Sequence, residues 1–193
     1  MNKVSVLVEG YAREWRSSGW EASSSAVLIQ TDKVKILCDP GTNAELLFAA
    51  LTKKHLTANS IDWVFLSHTA IEYCYATACF PKAKVITGRS FYDKDKQDLH
   101  SGEIPGTNLK ILATPGHSTD HCSLVIPTSR GIYVVAGGAF WWAKDEEQET
   151  DRFSLVNHKD VIAIDEKAAK ESRKKILEIA DYIIPGYGKM FKT

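Results

Sequence analysis

Ser67-His68-Thr69-Ala70-Ile71-Glu72-Tyr73 follows the strand-like apolar run Ile61 to Leu66 and leads to a Phe80-Pro81 step. Loops that leave strand ends are where polar side chains are commonly assembled into sites. In this loop the imidazole of His68 and the carboxylate of Glu72 stand next to Ala70 and Tyr73, so donors and non-donors share one short segment.

Working outward, strands and helices mix on both sides of this loop. Val4 to Val8 reads as a strand, and Ala26 to Gln30 with Val34 to Cys38 reads as a hairpin around Thr31-Asp32-Lys33. Asp39-Pro40-Gly41-Thr42 is turn chemistry, and Thr42 or Asn43 is suited to cap a helix running to His55. Its apolar face is expected to be Leu46, Leu47, Ala50 and Leu51. Gly10 to Ser25 reads as a loop rich in Trp, Ser and Arg, and Ser90 to Thr107 as a long polar surface excursion. Further strands are expected at Ala83 to Thr87, Leu109 to Ala113, Cys122 to Ile126, Ile132 to Ala136 and Tyr182 to Ile184. Asp165 to Ala180 carries the strongest helical pattern, with apolar positions at Ala168, Ala169, Ile176, Leu177 and Ile179. Strands covered by helices on outer faces suit this order, within one domain spanning 1–193.

Four further segments line up with the His68 loop. They are Ile36-Leu37-Cys38-Asp39-Pro40-Gly41, Ala113-Thr114-Pro115-Gly116-His117-Ser118, Val135-Ala136-Gly137-Gly138-Ala139-Phe140 and Ile184-Pro185-Gly186-Tyr187-Gly188. Together, in this order, they resemble the metallo-β-lactamase-fold superfamily over nearly the whole chain. Val6 to Tyr11 is similar to the opening of a short, single-domain branch of it. The resemblance implies an α+β fold, a four-layer αββα sandwich with a metal site at one rim. It implies one or two metals that hydrolyse esters, thioesters, lactams or phosphodiesters, with redox or transfer chemistry in some members.

The departures from the pattern decide the functional expectation. An intact metal loop reads His-x-His-x-Asp-His, whereas here the corresponding residues are His68, Ala70, Glu72 and Tyr73. The first-site ligands map to His68, Ala70 and His117, and the second-site ligands to Glu72, Tyr73, Gly138 and Tyr187. Hydrolytic zinc takes about three protein ligands plus the water that attacks. Ala70 and Gly138 offer no side-chain donor, and a tyrosine must shed a proton of pKa about 10 to bind metal well. The first expectation is therefore a degenerate zinc site, with Ala70, Tyr73, Gly138 and Tyr187 shaping a rim pocket for a small ligand or a protein. The second is a single-metal hydrolase on His68, His117 and Glu72, a two-His, one-carboxylate set. The cofactor expectation is accordingly none or one divalent metal, with zinc first among metals.

The remaining chemistry-bearing residues carry plainer alternatives. His68 and His117 also read as hydrogen-bonded structural remnants. Asp39 and Glu72 are the carboxylates to weigh for catalysis, with turn chemistry the plainer role for Asp39. His121 reads as structural or surface, and Cys74 as a small apolar packer rather than a thiol nucleophile. Trp141-Trp142 and the Tyr11 to Trp20 stretch read equally as pocket walls or as cover over an open rim. Asp145 to Asp151 reads as a solvated acidic loop. No Gly-x-Ser-x-Gly elbow, dinucleotide fingerprint or P-loop is present.

Composition bounds the rest. Lys plus Arg and Asp plus Glu number 24 each, so net charge supplies no steering toward nucleic acid or anionic membrane. No basic segment followed by an apolar core opens the chain, and the four cysteines form no CxxC pair. Reduced thiols and a cytoplasmic location are expected, with no nucleic-acid or membrane partner.

Overall fold

A computed structural model describes residues 1–193. The chain runs β1 (Lys3–Val8), β2 (Tyr11–Trp15), β3 (Gly19–Ser23), β4 (Ala26–Gln30), β5 (Lys35–Cys38), α1 (Ala44–Lys53) and β6 (Trp63–Phe65). It continues with α2 (Ile71–Cys74), β7 (Lys84–Ile86), β8 (Ser90–Asp93), β9 (Lys96–Leu99), β10 (Lys110–Ala113), β11 (Cys122–Thr128) and β12 (Gly131–Trp141). It closes with α3 (Arg152–Val156), α4 (Glu166–Ile179), β13 (Tyr182–Tyr187) and β14 (Phe191–Lys192).

Burial on both faces explains why the central strands read as nearly unbroken apolar runs. In β4, Val27 and Ile29 enter one core cluster while Ala26 and Leu28 enter another. In β6, Trp63 and Phe65 face the first cluster and Val64 the second. In β12, Tyr133 and Val135 face the first cluster and Val134 and Ala136 a third. The first cluster is thus the seam between two sheets, and the other two lie beneath helices. One sheet has strand order β1-β4-β5-β6-β7-β8-β9 and the other β10-β11-β12-β13-β14. With α1 on one outer face and α3 and α4 on the other, the architecture is the αββα sandwich.

Caps fix where the helices begin. The Asn43 side chain accepts from Leu46 N at 3.1 Å and starts α1, and Asp165 accepts from Ala168 N at 2.9 Å and starts α4. Each such cap is worth about 1 kcal/mol. Leu47 and Leu51 are the buried positions of α1, whereas Leu46 points outward. On α4, Ser172 and Arg173 join Ala169, Ile176 and Leu177 in the buried set, and Ile179 is exposed.

Two polar segments expected to be loops are hairpins. Tyr11–Trp15 pairs with Gly19–Ser23, and Ser90–Asp93 pairs with Lys96–Leu99 to extend the larger sheet. Their faces are largely solvated, so cross-strand pairing such as Arg13 with Glu21 (2.7 Å) replaces the apolar alternation that marks a strand in sequence. All four cysteines are free, and no helix is long and apolar enough to cross a membrane.

Candidate functional site

The ends of β5, β6, β10, β12 and β13 converge on one rim. Asp39 follows β5 with a left-handed backbone (φ 46°), and its carboxylate accepts the Ser67 N–H at 2.8 Å. That bond ties the start of the His68 loop to the neighbouring strand end. Gly41 N donates to Tyr73 O and Ser24 N to Glu72 O, which seats α2 against the same rim. Gly116 (φ 132°) packs so closely on Ala169 that a side chain there would overlap the α4 backbone. Gly116 O also accepts from Ile164 N and Asp165 N. The His117 turn is thereby fixed to α4 and to the segment preceding it.

Three buried imidazoles meet at the centre. His68 lies 4.9 Å from His117 and 5.3 Å from His121 by ring centroids, and His117 lies 5.8 Å from His121. Each Nδ1 is occupied: His68 with Ser67 Oγ at 3.1 Å, His117 with Asp160 at 2.7 Å, and His121 with Thr114 O at 2.9 Å. His68 Nε2 and His121 Nε2 are buried without a hydrogen-bond partner, as is the Tyr73 hydroxyl. Such orphans cost about 1–3 kcal/mol each, so the fold holds this polarity against its own stability.

Burial sets the protonation of the cluster. Loss of solvent, then the neighbouring His117, holds His68 down to about 3, and burial lowers His121 well below the ordinary imidazole range. Burial also raises Asp39 to about 7 against the Ser67 N–H, which favours the carboxylate. Asp160 goes the other way. Burial works to raise it, but hydrogen bonds from His117, Trp141 and the Ile162 N–H together hold it below the ordinary carboxylate value.

The donors do not fit the family's metal pair. A Cβ on Gly138 would stand 2.6 Å from His117 Nε2, so the imidazole occupies the volume a bridging carboxylate would need. Burial, then Tyr187, holds the Tyr73 phenol far above its ordinary value, and burial, then Glu72, does the same for Tyr187. Both oxygens stay protonated and are poor ligands. No three His, Cys, Asp or Glu side chains form a set that could hold a metal ion.

Above the histidines sits an aromatic floor. Tyr73 lies 4.2 Å from His68, Tyr187 lies 5.7 Å from Tyr73, and Trp141 lies 6.2 Å from Tyr187. Tyr73 is buried, and over Trp141 and Tyr187 opens a cavity of about 450 Å³ lined by Ala12, Trp20, Ala22, Thr42, Ile71, Glu72, Trp141, Val161, Ile162 and Tyr187. The β2–β3 hairpin, α2 and the segment before α4 each supply a wall.

Among the residues singled out in the sequence, His68 and His117 come together, while Glu72 lines the cavity beside Tyr187. Of the four residues expected to shape the pocket only Tyr187 lines the cavity, whereas Tyr73 is buried against it, Ala70 packs on both and Gly138 lies under His117. Trp141 and Trp20 line the cavity, whereas Trp142 is buried in the core below α3 and α4. His121 is not a surface residue. Burial, then Glu72, raises the Cys74 thiol, which runs against an activated nucleophile. Asp160 escaped sequence reading because nothing local marks it, and it meets His117 across 43 residues.

No family model matches the chain. Metallo-β-lactamase domain-containing protein 1 of Xenopus laevis is 27% identical over all of this chain and 82% of its own length. The mouse protein of that name is 28% identical over 97% of this chain and 74% of its own. Among solved structures, a candidate metallo-β-lactamase from Thermotoga maritima superposes with a TM-score of 0.74 at 14% identity, covering 100% of this chain and 99% of that one. The chemotaxis sensor ODP, solved with a peroxy diiron species, superposes with a TM-score of 0.69 at 16% identity over 99% of this chain and 85% of that one. The motifs in order, the two-sheet sandwich and similar proteins matched over most of their length lead to one conclusion: this chain has the metallo-β-lactamase fold.

Proposed function

We propose that this protein binds a small, largely apolar molecule in the rim cavity and does not run dinuclear zinc hydrolysis. The observation that carries this reading is the position of the aromatic floor. Eight of the ten residues lining the cavity are hydrophobic, and neither His68 nor His117 is among them. Tyr187 lines the cavity with Tyr73 buried against it, both at positions that the resemblance aligns with imidazoles, and their protonated phenols support the reading of a degenerate metal centre. A volume of about 450 Å³ falls within the ordinary range for small-molecule sites. We place the protein in the cytosol, with neither nucleic acid nor membrane as partner, on its balanced charge and its free cysteines.

A single-metal hydrolase on His68, His117 and Glu72 is the second reading, with zinc as the metal. It is favoured by the buried, unpartnered His68 Nε2 and by the Asp160 carboxylate behind His117, the outer partner that ligating imidazoles commonly have. Among fold neighbours, AidC is a dizinc quorum-quenching lactonase, so hydrolytic relatives keep this reading in play.

Metal analysis of protein purified without chelator or added zinc separates the two readings. The expected result is no stoichiometric metal, together with saturable quenching of tryptophan fluorescence by a neutral aromatic probe. One tightly held zinc per chain, lost in both His68→Ala and His117→Ala, would overturn the proposal in favour of the second reading.

A further inference from the structure

Glu72 is the one acidic side chain lining the cavity, and no lysine, arginine or histidine lines it. No basic group forms an ion pair with Glu72 anywhere in the protein. The carboxylate is half-buried beside Tyr187, under walls made by Trp20 and Trp141. A carboxylate drawn into apolar surroundings without a counter-charge is costly, and occupation of the cavity by a neutral molecule would deepen that cost. An anionic ligand would add repulsion and meet no cation. A bare divalent ion would find too few oxygen donors, because the rest of the lining is aliphatic or aromatic apart from Thr42 and the Tyr187 hydroxyl.

We propose that the cavity takes an organic cation, a hydrophobic amine or quaternary ammonium, with its nitrogen between Glu72 and the faces of Trp20, Trp141 and Tyr187 and its hydrocarbon part against Val161 and Ile162. This rests on the cavity being the binding site, as argued above. Weakly hydrated ammonium groups are attracted to aromatic faces within about 6 Å of the ring centroid, and one carboxylate supplies the balancing charge. Trp20 (61% exposed), Val161 (68%) and Ile162 (56%) are large apolar side chains left in water at the mouth, and a bound hydrocarbon would cover them.

Calorimetric titration in the presence of a chelator, with phenyltrimethylammonium, its uncharged isostere tert-butylbenzene and phenylacetate, tests the assignment. The ammonium is expected to bind at least about tenfold more tightly than the isostere, and phenylacetate not to bind. Glu72→Gln is expected to abolish that preference while tert-butylbenzene binds as before. Equal affinity of ammonium and isostere for the unaltered protein, or an ammonium preference that survives in Glu72→Gln, overturns the cation assignment. If tert-butylbenzene binds and Trp20→Ala weakens it, the apolar-cavity reading stands even where the cation assignment falls. If no probe binds, both fall.

Discussion

Gly138 leaves a space that the His117 ring fills. This position, which the resemblance aligns with a bridging carboxylate, has no side chain, and the His117 ring lies against its backbone. His117 is held in that pose by a 2.7 Å hydrogen bond from its Nδ1 to Asp160. Restoring the carboxylate by Gly138→Asp should therefore force the ring aside and break that bond rather than complete a metal site. Overpacking of this kind costs about 1–3 kcal/mol. A urea melt should show the loss, and metal analysis should show no added zinc per chain. Unchanged stability with a new equivalent of zinc would mean that the ring moves freely and that the volume argument is wrong.

At the scale of elements, the segment between α3 and α4 acts as a wall latched from below. Asp160 accepts from His117 Nδ1, Trp141 Nε1 at 3.1 Å and Ile162 N at 3.2 Å, so one carboxylate joins the histidine turn, β12 and the wall itself. Asp160→Ala should leave these donors unpartnered and cost about 3 kcal/mol, and Asp160→Asn should recover part of it. Hydrogen exchange should report faster exchange concentrated over residues 157–165, with α4 still protected. Uniform loosening of the whole sandwich would show instead that Asp160 supports the core generally. The β2–β3 hairpin forms the opposite wall with few buried side chains. Trp20 can therefore be replaced there without disturbing the sheets, which makes it a clean probe of the cavity.

For the whole molecule, the buried titratable groups set how stability changes with pH. His68, at about 3, and His121, also lowered, resist protons in the fold but take them up when unfolded, where imidazole titrates near 6.5. Their contribution is complete above about 6.5 and is lost as pH falls below it. Asp39 runs the opposite way: raised to about 7 from 3.8, it keeps a proton in the fold that the unfolded chain has released. Its contribution is complete below 3.8 and is lost as pH rises through 7. Two imidazoles against one carboxyl give stability that rises between pH 4.5 and 6.5, and Asp39→Asn should make the rise steeper. Urea midpoints across that range are the measurement, and a midpoint highest at pH 4.5 would refute the balance.

Much of the sandwich was legible along the chain, through the apolar strands and the ordered motifs that resemble the fold, as were the start of α4 at Asp165 and that of α1 at Thr42 or Asn43. Strands such as β4 and β12 are apolar on both faces, which only a sheet covered twice can satisfy. Asn43 and Asp165 mark helix starts through bonds three residues long. An alanine at 70 and a glycine at 138 lack a donor whatever surrounds them. It took the three-dimensional packing to show that His121 joins His68 and His117, that Asp160 latches the wall, that Tyr73 meets Tyr187, and that Tyr11–Trp15 and Gly19–Ser23 form a hairpin beside the cavity. The reason is separation along the chain. Periodicity and capping are properties of neighbours, whereas the site joins strand ends and loops tens of residues apart, placed by the packing of one sheet on the other.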